Sequence, residues 1–305
     1  MNDLRGIIPP LVTPIDAQGE VDLRDIGRLV QHLLSGGVHG LFALGSSAEA
    51  SFLSDSQRAT VLSAVVAAGE RKVPVLAGCI DTGARRVLGH ILRAADLGAD
   101  YAVVTAPFYA ITCQADVESH FRWLAANSPL PLIAYNIPVC VHYHLEPEML
   151  ARLGEENIIV AVKDSSGNSG SMRRLIQLTR ETGSGMKIFT GTEIVADGDL
   201  LMGADGVVPG LGNVVPQAYV DLWNAAQRGD WEEARRIQDL LEELFQIVAT
   251  SPEMRGPAGA LGAFKQALKH LGVLNAPFTS RPLRPLSEVS KAAVDELVDN
   301  FMNKY

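Results

Sequence analysis

Lys163 closes the apolar run Ile158-Ile159-Val160-Ala161-Val162 and is followed at once by Asp164-Ser165-Ser166-Gly167-Asn168. The run is rich in β-branched residues and too short for a helix. It therefore reads as a buried strand of a parallel sheet, with the lysine delivered at its carboxyl end. An amine of ordinary pKa is only about one part in 2,500 neutral at pH 7 and is a poor nucleophile. Partial burial that lowered the pKa by roughly three units would free it to attack a carbonyl, which is the chemistry of imine-forming lysines. A strand-end lysine can equally do no more than place its charge in solvent, so the reading depends on what stands beside it.

Tyr135 ends the apolar stretch Leu132–Tyr135, 28 residues before Lys163. That is the span of one strand-helix unit, which predicts neighbouring strands roughly 5 Å apart and a phenol able to share a substrate with the amine. Gly45-Ser46-Ser47-Ala48-Glu49 follows another short apolar run. A turn of this kind, with a glycine, two hydroxyls and exposed backbone amides, is suited to a carboxylate, although an ordinary serine-rich loop looks the same. Thr13, Cys79 with Asp81, Tyr109, Asn136, Asp164, Thr190 and Pro209 close the remaining strands or stand just past them. The strand ends thus gather polar groups at one rim.

The elements that must hold these residues follow a regular rhythm. Eight strands are predicted: Gly6–Val12, Gly40–Leu44, Val73–Cys79, Tyr101–Thr105, Leu132–Tyr135, Ile158–Val162, Lys187–Phe189 and Gly206–Val208. Helical patterns fall between them at Leu23–Leu34, Ser56–Ala68, Ala84–Leu97, Val117–Ala126, Pro147–Leu153 and Met172–Thr179. Ser35-Gly36-Gly37, Leu97-Gly98 and Met202-Gly203 each stop a helix with glycine before a strand begins. Eight such units predict a closed (β/α)₈ barrel over residues 1–225. An open doubly wound sheet is disfavoured, because Thr13-Pro14-Ile15-Asp16 follows the first strand in place of a glycine-rich dinucleotide turn. Residues 226–305 are predicted as a helical extension packed on the barrel. Leu222–Arg228, Trp231–Val248, Ala258–Leu271 and Glu288–Phe301 are the helices expected toward the end of the chain.

The 305 residues are 47% hydrophobic, ample for one large core, and carry a formal net charge of -9 with only short basic pairs such as Arg85-Arg86. That balance argues against a nucleic-acid partner. No apolar run has membrane-spanning length, and the first residues lack the regions of a signal peptide. Cys79, Cys113 and Cys140 are too sparse for a disulfide framework or a zinc ribbon, so a reducing, cytoplasmic setting is expected. His142 and His144 have the alternate spacing of a metal-ligand pair but no evident third ligand, and no metal is expected there.

Gly45-Ser46-Ser47-Ala48-Glu49, Ala106-Pro107-Phe108-Tyr109, Tyr135-Asn136-Ile137-Pro138 and Val162-Lys163-Asp164-Ser165-Ser166-Gly167-Asn168 together resemble the dihydrodipicolinate synthase and N-acetylneuraminate lyase superfamily, in order and spacing, over nearly the whole chain. The resemblance implies a (β/α)₈ barrel with a helical tail, pyruvate-type chemistry without metal or other cofactor, and a homotetramer built as a dimer of dimers. It makes Lys163 the imine-forming lysine and Tyr135 the proton-transfer phenol. Ser46 and Ser47 become binders of a 2-oxo acid carboxylate, and Tyr109 the tyrosine that enters a neighbouring subunit's site. Gly191, Val208, Cys140 and His142 are placed with them as substrate-contacting residues.

Two departures narrow the substrate. The lysine-biosynthetic synthases typically carry an arginine where this chain has Cys140, and the sialic-acid lyases a Gly-x-Asp-Glu pattern where this chain reads Gly191-Thr192-Glu193-Ile194. The expectation is therefore aldol cleavage of a 2-keto-3-deoxy sugar acid to pyruvate and an aldehyde. Dehydration or deamination through the same imine, synthase-like condensation, and a non-catalytic 2-oxo acid binder stand as alternatives.

Overall fold

The computed structural model describes residues 4–110, 113–252 and 257–305, and the following concerns those residues. Eight parallel strands form one sheet: β1 (Gly6–Ile7), β2 (Leu41–Ala43), β3 (Val75–Gly78), β4 (Tyr101–Thr105), β5 (Leu132–Asn136), β6 (Ala161–Asp164), β7 (Lys187–Thr190) and β8 (Gly206–Val207). Each pairs with the next from β2 to β8, and β8 pairs with β1. A parallel bridge between Pro10 and Phe42 closes the ring, with Leu11 N donating to Phe42 O at 2.9 Å and Phe42 N to Pro9 O at 3.1 Å. The predicted barrel is thus present.

Its strands are buried along nearly their whole length, which is why they read as continuous apolar runs. Around them lie α1 (Leu23–Ser35), α2 (Asp55–Gly69), α3 (Ala84–Asp96), α4 (Gln114–Asn127), α5 (Pro138–Val141), α6 (Pro147–Glu155), α7 (Ser169–Thr182), α8 (Ala196–Met202) and α9 (Pro216–Gln227). Local chemistry sets their ends. Ser54 and Gln57 form a capping box at the start of α2, and the Asn168 side chain accepts from Ser171 N at the start of α7. Gly98 and Gly203 have φ of 90° and 110°, the left-handed conformation expected of glycines that stop helices.

The C-terminal extension comprises α10 (Trp231–Phe245), α11 (Pro257–His270) and α12 (Glu288–Lys304). Gln266 Nε2 reaches Asp295 at 2.7 Å and joins α11 to α12, while Asn275 donates through its backbone and side chain to the buried Asp25 of α1 at 2.7 and 2.9 Å. Among the described residues no helix is long and apolar enough to cross a membrane.

Several elements differ from expectation; β1, for one, ends at Ile7 and not at Val12. β6 begins at Ala161, not Ile158, because the Ile158 and Ile159 amides both donate to Leu153 O at the end of α6. The strand consequently runs on through Lys163, which sits within it and not beyond its end. α9 starts at Pro216, well before Leu222, with proline at the first helical turn where a missing N–H costs nothing. α8 was not expected, since its two turns contain Gly198 and two aspartates.

The close approach of β3 to the end of β2 is testable at Gly78. A Cβ there would stand 1.9 Å from the Leu44 carbonyl oxygen, a backbone atom that cannot swing aside. Gly78→Ala is expected to lower unfolding free energy by at least about 2 kcal/mol in a urea titration, the scale of an overpacked core. A loss below about 0.5 kcal/mol would contradict the packing described.

Candidate active site

Tyr135 and Lys163 are direct partners in the β5–β6 register, as the spacing predicted. The Lys163 Nζ stands 3.8 Å from the Tyr135 ring centroid and 5.5 Å from that of Phe42, and the residue is only 6% exposed. Such cation–π contacts contribute about 0.5–2 kcal/mol and hold the amine over the ring face. Phe42 meets Tyr135 edge to face at 6.3 Å, so two aromatic rings locate the lysine. Phe42 was not singled out from the sequence, where it is one more apolar residue of a strand.

The Tyr135 hydroxyl lies 3.1 Å from Ser46 Oγ. Ser46 opens a single 3₁₀ turn, Ser46–Ala48, between two non-glycine residues held at positive φ, Leu44 at 59° and Glu49 at 58°. Left-handed backbone at two such positions is costly and persists only where the surroundings enforce it. Part of that enforcement comes from Thr13, whose hydroxyl donates to Ala48 O at 2.7 Å. Ser46, exposed, and Ser47, half-buried, begin this turn just past the end of β2.

A cavity of about 390 Å³ adjoins this group and is lined by Ser46, Tyr135 and Cys140 together with Thr105, Phe108 and Ile137. The other predicted residues, Lys163, Ser47, Gly191, Val208, His142 and Tyr109, stand outside the lining, Lys163 lying behind it over the ring of Tyr135. Gly191 packs against β6: its amide donates to Asp164 O at 2.6 Å, and a Cβ would fall 2.1 Å from Ser165 Oγ. Val208 is buried, its amide bonded to Thr190 O at 2.8 Å. Cys140 faces solvent at the cavity's edge. Such burial as it has raises the thiol pKa, while the Lys163 charge pulls it down, so the two are within electrostatic reach.

The two histidines part company. His142 is exposed and ends α5 with φ of 55°, whereas His144 turns toward α7, its Nε2 3.0 Å from Ser171 Oγ and its Nδ1 3.4 Å from Asn136 Nδ2. Asn136 in turn donates to Asp164 at 2.7 Å and accepts from Leu145 N at 3.0 Å. This network braces the residue next to Lys163. Tyr109 is 98% exposed with φ of 77°, projecting from the loop after β4.

Glu193 was not predicted as a site residue. It follows β7, and its Oε2 accepts from Leu211 N at 2.6 Å and from the Tyr219 hydroxyl at 3.4 Å, which ties the loop after β7 to the one after β8. Burial pushes its carboxyl up to about 7, while the amides of Leu211 and Gly210 and the charge of Lys163 pull the other way. The sequence signal was available in Gly191-Thr192-Glu193-Ile194, but nothing in it marks the backbone donors that face the carboxylate.

Eight parallel strands closed into a barrel and ringed by helices define the (β/α)₈ fold, whose active sites lie where the strands end, and there this chain places an amine, a phenol and a hydroxyl. The sequence matches the Dihydrodipicolinate synthetase family over residues 3–301, and the chain belongs to that family. It is 33% identical to a 4-hydroxy-tetrahydrodipicolinate synthase of Xanthomonas campestris pv. campestris, covering 97% of this chain and 94% of the relative. It is 32% identical to an uncharacterized DapA-like lyase of Halobacterium salinarum, covering 96% and 92%. YagE, a prophage protein of the dihydrodipicolinic acid synthase family from E. coli K12 solved in complex with pyruvate, superposes with a TM-score of 0.91 at 28% identity, covering 98% of each chain. The protein is a lyase of the Schiff-base, class I aldolase type.

The raised Glu193 carboxyl predicts a pH dependence. The folded group keeps its proton up to about 7, the unfolded one only to about 4.5. Between those values the folded state binds more protons, so this contribution is complete below about 4.5 and is lost as pH rises through about 7. Glu193→Gln removes it. Urea titrations across that window are expected to show the wild type losing stability relative to the variant by about 1 kcal/mol per pH unit. Parallel pH profiles would contradict the assignment.

Proposed function

We propose that the protein cleaves a 2-keto-3-deoxy sugar acid to pyruvate and an aldehyde through an imine on Lys163. The observation that carries this reading is the cluster of Lys163 Nζ over the Tyr135 ring, with the Tyr135 hydroxyl 3.1 Å from Ser46. The substrate carboxylate binds at Ser46 and Ser47. The Lys163 nitrogen attacks the C2 ketone, the Tyr135 phenol gives its proton to the hydroxyl that leaves as water, and the protonated imine becomes the electron sink while Tyr135 is left as a phenolate. Tyr135 takes the proton of the C4 hydroxyl as the C3–C4 bond breaks, the electron pair moving to C3 to give an enamine and a free aldehyde. The phenol returns its proton to C3, and water hydrolyses the imine to pyruvate and the free amine. Atoms balance without an added cofactor.

The pyruvate complex of YagE supports a 2-oxo acid in such a pocket. Cys140, standing where the synthases of the family carry arginine, favours cleavage over their condensation. A homotetramer with Tyr109 entering a partner's site accords with that residue's exposure and its strained backbone.

Incubation with a panel of 2-keto-3-deoxy acids, with pyruvate assayed separately from dehydrated 2-oxo products, is expected to yield pyruvate from at least one member. Release of dehydrated product alone would replace cleavage by dehydration through the same imine. Tyr135→Phe is expected to lower turnover by about 10²–10⁴-fold, the usual contribution of a positioned acid–base group. Turnover within about threefold of wild type would remove the phenol from the mechanism. Sedimentation is expected to give a tetramer, and a stable, fully active monomer would remove Tyr109 from the site.

A further inference from the structure

Glu49 and Lys265 are an ion pair with both side chains 0% exposed, joining the active-site turn to α11 of the C-terminal extension. Glu49 ends the turn that begins at Ser46, and its amide donates to Ser46 O at 3.1 Å. Its Oε2 also accepts from the Ser280 amide, while Lys265 Nζ donates to Phe278 O at 2.7 Å. One carboxylate and one ammonium thus clamp the segment around Phe278–Ser280 against the turn that carries both serines.

A buried ion pair is a weak device for stability, because well-packed apolar residues of the same volume do as well or better. Its particular property is direction: removing either partner leaves a charge that has nowhere else to go. Here the direction matters, since Glu49 sits in left-handed backbone that the local chain would not choose. With Thr13 holding Ala48 O from the other side, the turn is fixed at both flanks.

We propose that Lys265 is a positioning residue for the reaction: through Glu49 it sets Ser46 and Ser47 for the substrate carboxylate, making the C-terminal extension part of the carboxylate site. The inference rests on the assignment of those serines and of Lys163 in the proposed function. Lys265→Met alone strands a buried carboxylate and is prone to misfold, so the test uses Glu49→Leu combined with Lys265→Met, which removes both charges and keeps the volume. Gln266→Leu is the control, because it loosens α11 from α12 without touching Glu49.

Full-length proteins, each first shown folded by circular dichroism, are incubated with pyruvate over a concentration series and reduced with borohydride. The adduct is measured by intact mass. The double variant is expected to need about tenfold more pyruvate for half-saturation while reaching the wild-type adduct level at saturation, and Gln266→Leu to match wild type within about twofold. An unshifted half-saturation in the folded double variant, or an equal shift in Gln266→Leu, overturns the positioning role. A misfolded double variant overturns it too, since the pair would then be needed for the fold itself. Wild-type protein that forms no adduct at any pyruvate concentration withdraws the imine reading itself, and this inference with it.

Discussion

The register between β5 and β6 is the constraint from which the site follows. Tyr135 and Lys163 pair directly across these strands, and side chains alternate faces along each. A slip of one residue would send one of the two to the opposite face and separate phenol from amine. Closure of the barrel prevents it, because β5 and β6 each have a hydrogen-bonded neighbour on both edges. The Asn136–Asp164 bond, one residue further along the same pair, pins the register where the strands open into loops.

Around that pair the site is assembled from distant parts of the chain. The serine turn is enforced by Thr13 from the first strand-to-helix connection and by Lys265 from the C-terminal extension. The loops after β7 and β8 are joined by Glu193, whose backbone carbonyl in turn accepts from Gln238 of α10 at 3.0 Å. The extension therefore touches both sides of the rim. The left-handed backbone at Glu49 is held by buried polar contacts, not by the local preference of the turn.

Much of this was legible in the sequence. Fully buried parallel strands show as β-branched runs separated by helical periods and glycine stops, so the barrel and the adjacency of Tyr135 and Lys163 could be read directly. The start of β6 could not, because whether Ile158 and Ile159 pair with a neighbouring strand or cap α6 depends on where their amides find acceptors. Glu49 and Glu193 stand in recognisable motifs without a visible role of their own, and Lys265 stands in none, for a related reason. Their charges are spoken for by groups far along the chain, and no local pattern distinguishes a buried, paired Lys265 from the exposed lysine that a helix surface ordinarily carries. His142 and His144 illustrate the converse: their spacing suggests a common task, yet a left-handed residue at His142 turns them to different surroundings.

The central claim is that Lys163 is the nucleophile, and its most direct test is peptide mapping of the protein after reduction with borohydride in the presence of pyruvate. The account predicts a single reduced pyruvate adduct on the peptide that contains Lys163, absent from Lys163→Ala. An adduct on another lysine, or none on this one, would contradict it.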